Sequence, residues 1–234
     1  MKHHTTVVFF DLEATGISHE IIEIGAFKTL LYPNGKIKKV FKPYHTFVLA
    51  KTRVTHAVTK LTGITDSFLM ENGIPFRVMQ KGLAKYVGKD YKNALFVCYG
   101  DQDPQMFIHS AENNMDASME EAKFVSHHCF DFLRFFAQYV TGEDGNPINL
   151  TKAADLFSVK PYGKAHAATS DAYALMKLYE AFLENKELVI TEYEKTLCRG
   201  RGVPEVFRLM IDKLEGGESI NREGFRKIIE DSLE

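Results

Sequence analysis

TVVFFD, residues Thr6–Asp11, is a short apolar run rich in β-branched and aromatic residues, and it reads as a strand buried in the middle of a sheet. On its C-terminal side, Ile21–Leu31 and Lys36–Val48 read as two further strands joined by Pro33-Asn34-Gly35. Asn-Gly supplies the positive φ angles of a tight hairpin, so the first three strands are expected to form an antiparallel meander. Residues 52–88 read as helical pieces broken at Gly63 and Gly73, and Ala94–Tyr99 (ALFVCY) as another core strand. Asp103-Pro104 carries the signature of a helix cap and first turn, opening a helix towards Asn114. Phe124–Phe136 reads as a strand, or a strand and then a helix, with Phe130, Phe132, Phe135 and Phe136 as core. Helices are expected over Thr151–Phe157 and Ala168–Leu183. Strands first, then strands alternating with helices, predict an α/β fold: a mixed sheet flanked by helices.

The texture changes near Lys186. Residues 187–234 hold eight Lys/Arg against eleven Asp/Glu, whereas the preceding residues carry a net charge of +1. Two domains are therefore expected, residues 1–186 and a helical extension over residues 187–234. That extension has helices at Pro204–Leu214 and Asn221–Leu233, split by Gly216-Gly217.

Composition narrows the function. A hydrophobic fraction of 45% and a charged fraction of 26% suit a soluble globular protein. Three cysteines cannot make a disulfide framework. Met1–Thr6 lack the apolar segment and cleavage site of a signal peptide, and no apolar run suits a membrane span. A reducing, cytoplasmic setting is the expectation. A net charge of −2 argues against a protein that coats long duplex; a nucleic-acid ligand would be held locally, at one end.

Three elements carry candidate chemistry. Asp11 and Glu13 lie two apart at the end of the first strand, so both carboxylates share a face while Leu12 turns into the core. Two adjacent carboxylates repel unless a cation lies between them, and oxygen donors suit Mg²⁺ or Mn²⁺. The Thr15-Gly16 that follows lets the backbone approach a ligand. The second element is Tyr99-Gly100-Asp101-Gln102-Asp103, where a core strand delivers two acids at its C-terminal end, the usual place for ligands in α/β sheets. In the third, His166 precedes Asp171 by five residues. The two do not share a helical face, so His166 is expected in a loop and Asp171 in the first turn of the next helix. Taken singly, each has an ordinary reading: a solvated strand end, a helix cap, a surface histidine.

Together, in this order, Asp-x-Glu, a strand-end Asp and His-x-x-x-x-Asp resemble the DEDDh (DnaQ-like) 3′→5′ exonuclease superfamily over residues 5–184. Glu20–Ala26 (EIIEIGA) and Leu61-Thr62-Gly63-Ile64-Thr65 resemble further family segments. The similarity is nearest to the branch of KapD-like bacterial proteins and exonucleases that trim histone mRNA, whose Trp-Gly-x-x-Asp pattern selects Asp103; here Tyr99 replaces the Trp. The resemblance implies a ribonuclease H-like mixed five-stranded sheet. It implies Asp11, Glu13, Asp103 and Asp171 as ligands of two Mg²⁺ or Mn²⁺ ions, His166 as general base, and Thr15, Gly16, Leu61 and Thr62 as substrate contacts. The implied substrate is a single strand with a free 3′ end, RNA favoured over DNA, released as nucleoside 5′-monophosphates. A DNA exonuclease of the proofreading or repair kind, and a nuclease-like module that binds without cutting, are the alternatives.

Other clusters read as ordinary surface. His127-His128-Cys129 lacks a second ligand pair for zinc. Lys36, Lys38, Lys39 and Lys42 read as a solvated sheet edge, and Arg199 and Arg201 as solvated charges in an acidic tail.

Overall fold

The computed structural model describes residues 5–163, 166–199 and 205–231. They divide into two compact units, Met1–Leu133 with Asn149–Glu184, and Arg134–Ile148 with Asn185–Glu234.

The first unit is built on a mixed sheet. Strand β1 (Thr5–Ala14) pairs antiparallel with β2 (Ile21–Leu31) and parallel with β5 (Leu95–Cys98), which pairs in turn with β6 (Cys129–Asp131). The far edge is β3 (Ile37–Val40) and β4 (Tyr44–Phe47), both paired with β2. The sheet thus has six strands rather than the expected five, because the third strand is broken. Val40 faces Thr29 and Tyr44 faces Ala26, so four steps on the edge oppose three on β2. Pro43, which has no N–H to give to a ladder, lies in that bulge. Lys38 and Lys39 of this edge stand over the rings of Tyr32 and Phe41.

β1 is buried on both faces, which is why it reads as an unbroken apolar run. Its even-numbered side chains, Val8, Phe10 and Leu12, join the core formed with α3 (Phe76–Val87), α4 (Gln102–Asn113) and α5 (Met119–His127). Phe10 meets Phe96 and Phe107 edge to face. Its odd-numbered side chains face α8 (Ala168–Glu184), where Phe9 packs on Tyr179. Between the hairpin and α3 lie α1 (His56–Thr62) and α2 (Asp66–Asn72), capped by Thr55 and Thr65, with α1 ending in left-handed Gly63. α6 (Phe132–Phe136) follows β6, and α7 (Leu150–Leu156) precedes α8. Phe132 and Phe136 are buried as expected, but Phe130 is exposed because β6 is an edge strand.

Two expected boundaries move. Residues up to His127 are helical, since the Ser118 hydroxyl accepts the Glu121 N–H and caps α5. α4 starts at Gln102 with Asp101 in the cap position, so Asp103 lies in the first turn and is not its cap.

The second unit contains α9 (Lys186–Arg199), α10 (Glu205–Glu215) and α11 (Arg222–Asp231). Segment 134–148 belongs with these helices: Thr141 bonds through its N–H to the Thr196 hydroxyl at 3.0 Å, and Tyr139 packs on Tyr193. Pro204, Leu233 and Arg201 lie outside the described residues, as does the side chain of Arg199. No described helix is long and apolar enough to cross a membrane.

Candidate active site

Because Asp11 and Glu13 share the face of Phe9, they point to the side of the sheet on which α8 lies. Directly across from Asp11 in the ladder is Gly25. A Cβ built on Gly25 would lie 2.2 Å from the Thr169 nitrogen and 2.4 Å from the Ala168 oxygen, so only glycine lets the start of α8 rest on β2. That seat carries the first turn of α8, and with it Asp171, to the two β1 acids. Ligand oxygens of Asp11, Glu13 and Asp171 all lie within 4.8 Å of one another, the one such group among the described residues.

Asp103 comes from the opposite side. It is buried in the first turn of α4, and its carboxylate accepts the N–H of Leu12, between the two β1 acids, as well as its own. Asp101, two residues earlier, is exposed. His166 lies in the turn before α8, exposed, with a left-handed backbone (φ 56°); Ala165 beside it lies outside the described residues. Its nearness to Asp171 is felt electrostatically, since it draws the Asp171 pKa down against the larger effect of burial.

The charge balance of the cluster is its main property. Loss of hydration, then repulsion from Asp103, Asp171 and Glu13, holds Asp11 well above the usual carboxylate range. Burial and repulsion from Glu23 push Glu13 up to about 8, and burial pushes Asp103 up to about 7 despite its two backbone hydrogen bonds. Asp11, Glu13 and Asp171, crowded together with the charge of Asp103 beside them but outside the group, are a donor set that fits a hard divalent cation, whose charge would replace the protons. Mg²⁺ and Mn²⁺ fit equally on this ground.

Glu23 is the residue the sequence reading missed. It lies directly across from Glu13 in the β1–β2 ladder, buried, with its carboxylate 2.7 Å from His45 Nε2 on β4. The signal was an acid in the middle of an apolar strand, IIEIGA, with no solvent face to occupy.

The four expected substrate contacts separate. Leu61 and Gly16 are exposed. Thr15 and Thr62 are buried, with hydroxyls engaged inside the fold: Thr15 Oγ1 accepts the Glu20 N–H, and Thr62 donates to the Val58 carbonyl. The close approach at Gly16 is to protein, since a Cβ there would stand 2.6 Å from Thr55 Oγ1 at the cap of α1. His128 of the His-His-Cys run bonds its Nδ1 to the Phe124 carbonyl.

The model of the exonuclease family RNase_T matches residues 8–179. A PolC-type DNA polymerase III of Caldanaerobacter subterraneus subsp. tengcongensis is 29% identical over 184 residues, covering 76% of this chain and only 11% of the polymerase. The DNA polymerase III subunit epsilon of Buchnera aphidicola subsp. Schizaphis graminum is 24% identical over 208 residues, covering 81% of this chain and 79% of that subunit. Among solved structures, the nuclease domain of 3′hExo, a DEDDh family member bound to rAMP, superposes with a TM-score of 0.56 at 16% identity, covering 79% of this chain and 94% of that domain. A 3′-exonuclease in a structure of histone mRNA stem-loop recognition gives 0.55 at 17% identity, covering 78% of this chain and 65% of that one. At these identities the structural likeness concerns the fold.

Proposed function

Given that the chain belongs to the RNase_T exonuclease family, of DEDDh type, we propose that it is a metal-dependent 3′→5′ exonuclease that releases nucleoside 5′-monophosphates from single-stranded nucleic acid. The observation that carries this reading is the meeting of Asp11, Glu13 and Asp171, from two elements, with Asp103 bonded to the backbone between the first two. These four would hold two divalent ions. Bound there, Mg²⁺ or Mn²⁺ would neutralise the scissile phosphate, favour departure of the 3′ oxygen and lower the pKa of a water. His166, exposed at the rim beside Asp171, takes the proton of the attacking water and returns it to solvent. The first turn of α8 carries Asp171, so the positive end of that helix's dipole lies beside the acid cluster. A module that binds without cutting has no need of this set, and all five residues are present.

RNA is favoured because the solved relatives include one bound to rAMP and one described with a histone mRNA stem-loop. A DNA substrate is the second reading, supported by the two polymerase III relatives. Residues 187–234 contribute no catalytic group in this reading and serve substrate choice or assembly. A reducing, cytoplasmic setting suits the free thiols of Cys98 and Cys129, whose sulfurs stand 3.2 Å apart in hydrogen-bond contact and are not joined in a disulfide.

The test is incubation of the purified protein with 3′-labelled and 5′-labelled single-stranded RNA and DNA, in Mg²⁺, Mn²⁺ or chelator. Metal-dependent release of 5′-monophosphates from the 3′ end, faster on RNA, is expected. Undiminished cleavage in excess chelator, or shortening from the 5′ end, would refute the proposal.

A further inference from the structure

One residue before the buried Asp103, the surface opens into a cavity of about 280 Å³ lined by His19, Asp101, Gln102, Gln105, Met106 and His109. None of these belongs to the acid cluster. His19 comes from the β1–β2 connection and the others from the start and outer face of α4. The two walls are locked together, because the Ile21 N–H donates to the buried Ser110 hydroxyl at 2.8 Å, one residue from His109. The His19 and His109 rings consequently lie side by side as a tilted pair, with centroids 6.1 Å apart and planes 38° from parallel. His19 also holds a left-handed backbone (φ 51°), a conformation that persists where surrounding structure imposes it and that clusters at ligand sites.

The chemistry of the lining selects its ligand. No Lys or Arg lines the cavity and Asp101 does, which disfavours a phosphate. The histidine and aspartate donors do not converge as metal ligands, since the described residues contain no second such group. Two aromatic ring faces, a thioether and two side-chain amides suit a flat, uncharged, hydrogen-bonding group. Its volume, at the small end of ligand sites, suits one ring system. We propose that this cavity receives a nucleobase of the substrate strand, stacked on His19 and His109 with its edge against the Gln102 and Gln105 amides. In this assignment the base is that of the second-to-last nucleotide, because the cavity is lined from the start of α4, beside Asp103, and neither Gly16 nor Leu61 contributes to it. This assignment rests on the exonuclease reading and adds to it a contact that precedes the cut bond.

The test uses the full chain and 5′-labelled single-stranded oligonucleotides carrying an abasic site at the last, second-to-last or third-to-last position, with removal of the first nucleotide measured as kcat and KM. Stacking of one base is worth roughly 5- to 150-fold in affinity. The wild type is therefore expected to lose about tenfold in kcat/KM, mostly through KM, when the second-to-last base is missing. The double variant His19→Asn, His109→Ala should lose as much on intact substrate and nothing further on the abasic one; Asn tolerates the left-handed backbone at position 19. The substrate arm needs no variant, so a misfolded variant does not shield the proposal. If the wild type cuts all three abasic substrates alike, or is affected only at the last position, the cavity is not a base site while the exonuclease reading stands. If it cuts no intact oligonucleotide, the exonuclease reading falls and this assignment with it.

Discussion

Replacing Glu13 with Gln is expected to stabilise the metal-free protein while destroying its response to metal. The folded chain holds the Glu13 pKa at about 8, against 4.5 ordinarily. Between those values the folded state binds more protons than the unfolded one, so this group makes stability fall as pH rises through the window, with no further change above it. At pH 7 the penalty is about 3.4 kcal/mol, from ~2.5 pH units at 1.36 kcal/mol each. Water reaching the half-buried carboxyl reduces this to about 2 kcal/mol. Gln keeps the size and removes the titration, so in chelator the variant should melt about 4–8 °C higher than the wild type. Mg²⁺ reverses the order: the wild type gains about 2.7 kcal/mol at one hundred times its dissociation constant. The variant, with one ligand neutral, should gain much less. Thermal unfolding followed by circular dichroism at pH 7, with chelator and with Mg²⁺, measures both differences. A variant less stable than wild type in chelator, or one stabilised equally by Mg²⁺, would show that Glu13 is not part of a charge-crowded cation site.

Metal affinity should rise with pH from about 6 to 8, because the protons of Asp103 (about 7) and Glu13 (about 8) must leave before an ion binds; calorimetric titration at several pH values reads this as proton release. Asp103→Asn should lower kcat at least about a thousandfold. Asp101→Asn should keep metal-induced stabilisation and cost no more than roughly tenfold in kcat/KM; rates in the opposite order would exchange their roles. Gly25→Ala should cost about 3 kcal/mol in urea unfolding and weaken metal binding, since its methyl meets the Thr169 nitrogen; an unperturbed variant would mean that α8 is not seated there. A chain ending at Arg199 should keep its oligonucleotide cleavage, whereas one ending at Asn185 should lose about 1–2 kcal/mol of stability, because Thr141 and Tyr139 lose Thr196 and Tyr193.

What could be read from the sequence was local. β1 and β2 announce themselves because strands buried on both faces cannot hide their composition, and Asp11 with Glu13 stand out as charges ending such a strand. The Asn-Gly turn, with Gly35 at φ 83°, is as local as a signal can be. The break at Pro43 is equally local, as is the Ser118-x-x-Glu121 cap of α5, but Pro43 lies inside a stretch whose apolar pattern runs on past it. Glu23 was passed over because its partners, Glu13 and His45, are set by strand register. The nearness of Asp171 to Asp11 depends on Gly25 meeting Ala168, some 140 residues further along. No periodicity within a window can reveal such a contact.

The interrupted second unit bears on how the chain is made. Residues 134–148 leave the ribosome before α7 and α8, yet their partners Tyr193 and Thr196 come roughly 50 residues later. During synthesis, at about 5–20 residues per second, this segment waits some seconds for Tyr193 and Thr196 to follow. Meanwhile α8 can already settle on Gly25 and complete the acid cluster. The order of synthesis thus lets β1, β2 and α8 come together before Tyr139 and Thr141 meet Tyr193 and Thr196, an interval in which an assembling partner would reach residues 134–148 ahead of α9.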